Sequence, residues 1–128
     1  MEKLRQIISA LGFSHIVETD PLTHDNKIAF TSQLCHVIAS ALVDSAEDEK
    51  VTAFGGGSFE DLTRIAMINA PLWTELFASN KDLLLNQIDN FEKSLLKMRK
   101  LIEDGNNQEL CNLLSSVREK RLCMRKTE

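Results

Sequence analysis

No stretch of the chain approaches the roughly 20 consecutive apolar residues that a membrane-spanning helix requires. The start, Met1-Glu2-Lys3-Leu4-Arg5, is charged and amphipathic, without the continuous apolar core of a secretory signal. A cytoplasmic protein without a membrane partner is therefore expected. Basic residues are not in excess: 15 Lys and Arg against 19 Asp and Glu leave a formal charge of -4. With the signs mixed along the chain, no nucleic-acid surface is implied. Cysteine is sparse. Cys35, Cys111 and Cys123 are widely separated and lack a CxxC or a matching histidine pair, so they read as reduced thiols and neither a disulfide framework nor a zinc site is suggested. No GxGxxG follows a strand, and Gly55-Gly56-Gly57 is not followed by Lys-Ser/Thr, which excludes a dinucleotide fold and a P-loop. No Ser or Cys has the neighbours of an activated nucleophile. Repeats, linkers and low-complexity segments are also missing, and 128 residues suit one module.

What is present is helical periodicity with clear stops. Leu4, Ile7, Ile8 and Leu11 share a helical face, and Gly12 sits where a left-handed C′ residue belongs. Phe13 to Val17 reads as one short strand with nothing to pair with, like the tail of a βαβ unit whose other strands precede Met1. Asp20-Pro21 is an N-cap with Pro at the first helical position, and no Gly or further Pro follows until after Ser45. One long, largely buried helix is predicted, with Leu22, Ile28, Phe30, Leu34, Val37, Ile38, Ala41 and Leu42 as its apolar surface. His24, Asp25, Ser32, Gln33, Cys35 and His36 are scattered over that helix, and each buried polar group there needs a partner or a ligand. Asp44 to Lys50 is a charged, solvated turn. Asn69, with Pro71 beyond it, starts a short helix that carries Trp73 and ends near Ser79. Asn80 starts another, in which Leu84, Ile88, Phe91, Leu95, Met98 and Ile102 form an a/d seam up to Gly105. That seam suits a second copy of the chain or an antiparallel neighbour in the monomer, and a length of roughly 35 Å favours the copy. A last helix from Asn107 turns Leu110, Leu113, Leu114 and Val117 inward, before a basic tail that frays.

The stretch from Gly55 to Trp73 gathers the chemistry. Three glycines permit positive φ and close approach of another surface; Ser58 then caps a helix from about Phe59, with Asp61 three residues on as in a capping box. Glu60 and Asp61 stand one turn before Arg64, so a guanidinium held by carboxylates can receive an anion. The same spacing equally describes an ordinary solvated ion pair, which is the commoner outcome. Trp73 is near enough in sequence to line a cleft with Arg64, though a lone Trp also serves as core. His24-Asp25 is similar to the signature of the metal-dependent HD phosphohydrolases. Only His15 and His36 remain as further histidine ligands, however, and twelve residues on one helix separate His24 from His36 by about 18 Å.

Taken in order, Thr23-His24-Asp25, Thr31-Ser32-Gln33-Leu34-Cys35-His36, the run from Gly55 to Ala66 (GGGSFEDLTRIA) and Pro71-Leu72-Trp73 resemble the C-terminal domain of prephenate dehydrogenase. The match in order and spacing covers nearly the whole chain. It implies an all-α helical bundle whose long helices form an interlocked homodimer, with residues 20–128 as the dimerisation and substrate-binding domain. Residues 1–19 would be the remnant of a junction with a nucleotide-binding domain, which accounts for the unpaired strand.

The family oxidatively decarboxylates prephenate to 4-hydroxyphenylpyruvate on the route to tyrosine, with NAD or NADP as hydride acceptor. The resemblance implies that Arg64 binds a substrate carboxylate, that Asp61 orients Arg64, and that His36 and Trp73 supply a polar and an apolar wall. The partners implied are a second copy of the chain, prephenate or 4-hydroxyphenylpyruvate, and a nucleotide-binding domain upstream or in trans. No catalytic, cofactor-binding or metal residue is assigned here, and the chain alone is expected to be inactive. Gln33 stands where many members have His, Cys35 where many have Pro, and Glu60 where many have a basic residue. Cys35 in place of Pro predicts a helix without a kink, and Glu60 a less positive approach to Arg64. The competing reading is a stand-alone dimeric helical interaction module without catalysis.

Overall fold

The computed structural model describes residues 2–13 and 15–124. Among these residues the chain is all helical or irregular. The helices are α1 (Glu2–Ala10), α2 (Pro21–Ile28), α3 (Leu34–Asp44), α4 (Gly57–Thr63), α5 (Ala70–Ser79), α6 (Lys81–Glu103) and α7 (Asn107–Cys123). Phe13 and His15 to Val17 form no strand, and Ser14 lies outside the described residues. Instead of pairing in a sheet, the segment is tied back to α1 by Arg5, whose guanidinium is 2.6 Å from the Glu18 carboxylate.

Helix ends follow local chemistry. Gly12 (φ 89) and Gly105 (φ 63) are the positive-φ glycines. Each closes its helix with paired amide bonds, Gly12 N to Ser9 O with Phe13 N to Ile8 O, and Gly105 N to Ile102 O with Asn106 N to Leu101 O. The side chains of Asn69 and Asn106 accept from the amides of Leu72 and Glu109, capping α5 and α7. Asp20 accepts from the Thr23 amide at 2.9 Å, with Pro21 at the first helical position.

Hydrogen bonds from the Thr23 side chain and backbone hold the Asp20 carboxyl below its ordinary value of 3.8. A lowered folded value means the cap stabilises the helix fully above the unfolded value and loses that contribution as pH falls through the folded one. Far-UV circular dichroism during acid titration should therefore show a component of helix loss below about pH 4 that is missing in Asp20→Asn, which caps equally well without titrating.

The long helix predicted after Asp20 is interrupted. A π turn over Ala29–Gln33 joins α2 to α3, and the Leu34 amide reaches back five residues to Ala29 O. The irregularity persists although Cys35 predicts a regular helix. The Cys35 thiol lies 3.7 Å from Phe30 O and 3.5 Å from Thr31 O and donates to that pair, so a side chain supports the carbonyls that the widened turn displaces.

The glycine run also departs from expectation. Gly55 (φ -73) and Gly56 (φ -105) lie outside the left-handed region, and Gly56, not Ser58, is the N-cap of α4, without a side-chain hydrogen bond. The capping box with Asp61 is therefore not formed. Gly55 has a steric role: a Cβ there would meet Thr52 O at 3.1 Å, where the turn Glu49–Phe54 closes.

The chain divides into two compact units, one reaching through Leu84 and one from Leu85, so the boundary falls within α6. In the first, α3 packs on α4 and on the 3-10 turn Arg64–Ala66 that follows it. Its buried residues are Ala29, Leu34, Ala39 and Leu84, with the polar Gln33 and Thr63. The extensive burial predicted for the helix after Asp20 is not reached within one chain: Leu22 and Phe30 remain 68% and 51% exposed. In the second unit, α7 and the rest of α6 carry no buried residue among those described. Leu110 and Leu113 are half-buried, while Leu114 and Val117 are exposed. No described helix is long and apolar enough to cross a membrane.

Candidate functional site

Four side chains, His36, Asp61, Arg64 and Trp73, are expected to form the site, and the first unit joins two of them and sets the other two apart. His36, on the first turn of α3, stacks on Trp73 of α5 with ring centroids 3.5 Å apart and planes inclined by 27°. Phe77, one turn along α5, meets Trp73 at 5.5 Å in a tilted arrangement. His36 Nδ1 lies 2.9 Å from Ser32 O. A carbonyl only accepts, so Nδ1 carries the proton and Nε2 is the nitrogen turned to other partners. Both rings are half-buried, so this aromatic ledge has surface left to offer a ligand.

Arg64 begins the 3-10 turn that follows α4 and lines a cavity of about 500 Å³. Val43, Val51, Phe59 and Met67 supply apolar wall, and Asp48, Glu49 and Glu60 line it with Arg64. Thr63, beside Arg64, is held by its hydroxyl to Phe59 O at 2.7 Å. Among the described residues Arg64 makes no ion pair with Asp61, Glu60 or any other carboxylate. The Arg64 amide still bonds Glu60 O, so helical spacing reaches Arg64, yet the pair with Asp61 is not made. Asp61 is exposed and does not line the cavity; neither do His36 and Trp73. The structure thus joins His36 to Trp73 and sets Arg64 on a cavity of its own.

His24 and Asp25 pair with each other at 3.0 Å on the exposed face of α2. Among the described residues no three His, Cys, Asp or Glu side chains converge as they would around a metal. Gln33 and Asn80 enter the site in roles that the sequence reading does not assign them. Gln33 Nε2 donates to Leu76 O at 3.0 Å, and Asn80 Nδ2 donates to Gln33 Oε1 at 2.9 Å and to Asp25 O at 3.0 Å. The available signal was Gln33 itself, an amide within an apolar helix face that required a partner; Asn80 reads in sequence only as a cap.

Comparison with known proteins gives a consistent result. The family model described as "Prephenate dehydrogenase, dimerization domain" matches residues 20–116. The prephenate dehydrogenase of Bacillus subtilis (strain 168) is 26% identical over 126 residues, which are 94% of this chain and 34% of that protein. The crystal structure of prephenate dehydrogenase from A. aeolicus in complex with hydroxyphenyl propionate and NAD+ superposes with a TM-score of 0.74 at 35% identity, over 84% of this chain and 40% of that one. The Synechocystis arogenate dehydrogenase structure shares the fold, with a TM-score of 0.82 at 24% identity, over 94% of this chain and 45% of the other. The chain therefore spans about a third of the length of that curated relative.

Proposed function

The chain belongs to the prephenate dehydrogenase family, whose dimerization domain it matches, and from that premise we propose that it is the dimerisation and substrate-binding half of an enzyme that oxidatively decarboxylates prephenate to 4-hydroxyphenylpyruvate. Arg64 is the observation that carries this reading. It is an exposed guanidinium on a cavity wall that engages no carboxylate among the described residues, and a planar fork of donors suits a substrate carboxylate, which it can hold by two parallel bonds. His36 and Trp73 present a polar edge and an aromatic face that suit the ring of the substrate. Asp61, three residues before Arg64, orients the guanidinium once a ligand is in place.

Holding the carboxylate and ring together restricts the substrate to a reactive orientation, which is the contribution of this half. The described residues contain no strand–turn–helix to seat a pyrophosphate. As the chain matches the dimerization domain of the family, the nicotinamide of NAD or NADP, which accepts the hydride, is assigned to a nucleotide-binding domain upstream or in trans, and the chain alone is expected to be inactive. The cavity holds Asp48, Glu49 and Glu60 beside one Arg, so affinity for a dicarboxylate is expected to be modest and to weaken further with salt.

Isothermal titration of the chain with 4-hydroxyphenylpyruvate tests the proposal. Saturable binding at one site per chain is the expected result. Absence of heat and of any competition by prephenate would overturn the substrate-binding role and favour a helical module that only associates.

A further inference from the structure

We infer that Gln33 and Asn80 are positioning residues that set the register of the His36–Trp73 ledge; this rests on the reading of that ledge as a substrate wall. The π turn at Ala29–Gln33 sets the geometry. With one more residue in the turn, Gln33 and Leu34 are both buried, at 5% and 3% exposure. The Gln33 amide is thereby brought to Leu76 O, one of the last four carbonyls of α5, which an α-helix leaves without an internal partner. Three residues forward, on α3, stands His36; three residues back along α5 stands Trp73. The hydrogen bond and the ring stack are thus successive rungs between two antiparallel helices, one turn apart.

No residue of α5 is buried, so apolar packing does little to fix that register. The polar rung does. Asn80 completes it by donating to Gln33 Oε1 and to Asp25 O, which fixes the amide orientation of Gln33 so that Nε2 faces Leu76. The stack is therefore downstream of a knot in which Gln33 uses one donor and one acceptor. A neutral imidazole also has one of each, so histidine can take the position, whereas methionine, close in shape, has no donor.

The test uses the 128-residue chain, with its three histidines and single tryptophan, in proton–carbon correlation spectra. The ring protons of His36, assigned with His36→Asn, should lie upfield of those of His15 and His24 because the indole shields them. Gln33→Met and Asn80→Asp are each expected to collapse that displacement and to weaken 4-hydroxyphenylpyruvate binding about tenfold, with helix content and solution mass unchanged. Gln33→His should retain both. If the displacement survives in Gln33→Met and Asn80→Asp, the positioning role is wrong. If it collapses while binding is unaltered, the positioning role stands and the assignment of His36 and Trp73 as substrate walls fails. Should Gln33→Met unfold, Asn80→Asp carries the test, because it keeps the shape of the side chain and replaces a donor by an acceptor.

Discussion

Replacing Arg64 with alanine is expected to abolish measurable binding of 4-hydroxyphenylpyruvate while leaving the fold intact. Hydrogen bonds to charged groups contribute about 1.5–3 kcal/mol each, and a bidentate guanidinium–carboxylate pair makes two. Even after solvent screening, the loss should exceed about 2 kcal/mol, or roughly thirtyfold in affinity. Structural damage is not anticipated, because Arg64 is exposed and forms no ion pair among the described residues. Arg64→Lys separates charge from geometry: it keeps the cation, loses the fork, and should fall between the two. Titration calorimetry on the three proteins decides the matter, and equal dissociation constants would remove Arg64 from the site.

A second large effect is expected in solution mass. Sedimentation equilibrium should give twice the 14.4 kDa of one chain at every accessible concentration. The reason is clearest in the second unit, where no described residue is buried and Leu95, Leu96 and Ile102 are 54%, 58% and 64% exposed. Small units with so little core seldom hold their structure unaided. Each leucine or isoleucine covered by a partner contributes about 1.5–3 kcal/mol, and a two-fold interface counts it twice. Leu95→Glu and Ile102→Glu should each weaken association by about two to four orders of magnitude and shift the mass towards the monomer. A well-folded 14.4 kDa monomer of the unaltered chain would contradict self-association through these helices.

Legibility from sequence tracked how local the cause was. Gly12, Asp20, Asn69 and Gly105 each mark a helix end by chemistry confined to a few residues, and each lies where that chemistry places it. Family membership was legible for a related reason, since the motif from Gly55 to Ala66 is contiguous. The π turn was not, because apolar periodicity averages over it and nothing in Ala29 to Gln33 announces an extra residue. Ser58 is a good capping residue in a place where Gly56 has already begun the helix, so propensity misplaced that start by two residues. Spacing suggested an Asp61–Arg64 pair, yet for two exposed side chains at a helix end spacing permits an ion pair without requiring it. The bond from Gln33 to Leu76 spans 43 residues and involves a backbone acceptor, so no side-chain pattern could have revealed it.

The π turn at Ala29–Gln33 also has a meaning for how this helix can be counted. An α-helix turns by about 100° per residue, so its length is a scale on which direction is encoded by position number. The widened turn inserts one step into that scale. Directions deduced from Leu22 and Ile28 therefore go out of phase by about 100° when projected past Leu34. Excising any single residue from the turn would restore a uniform scale, yet it would swing the His36 ring by about the same angle, away from Trp73. In that sense the segment works as a spacer of angle more than of distance, and the aromatic ledge exists because the count is kept irregular.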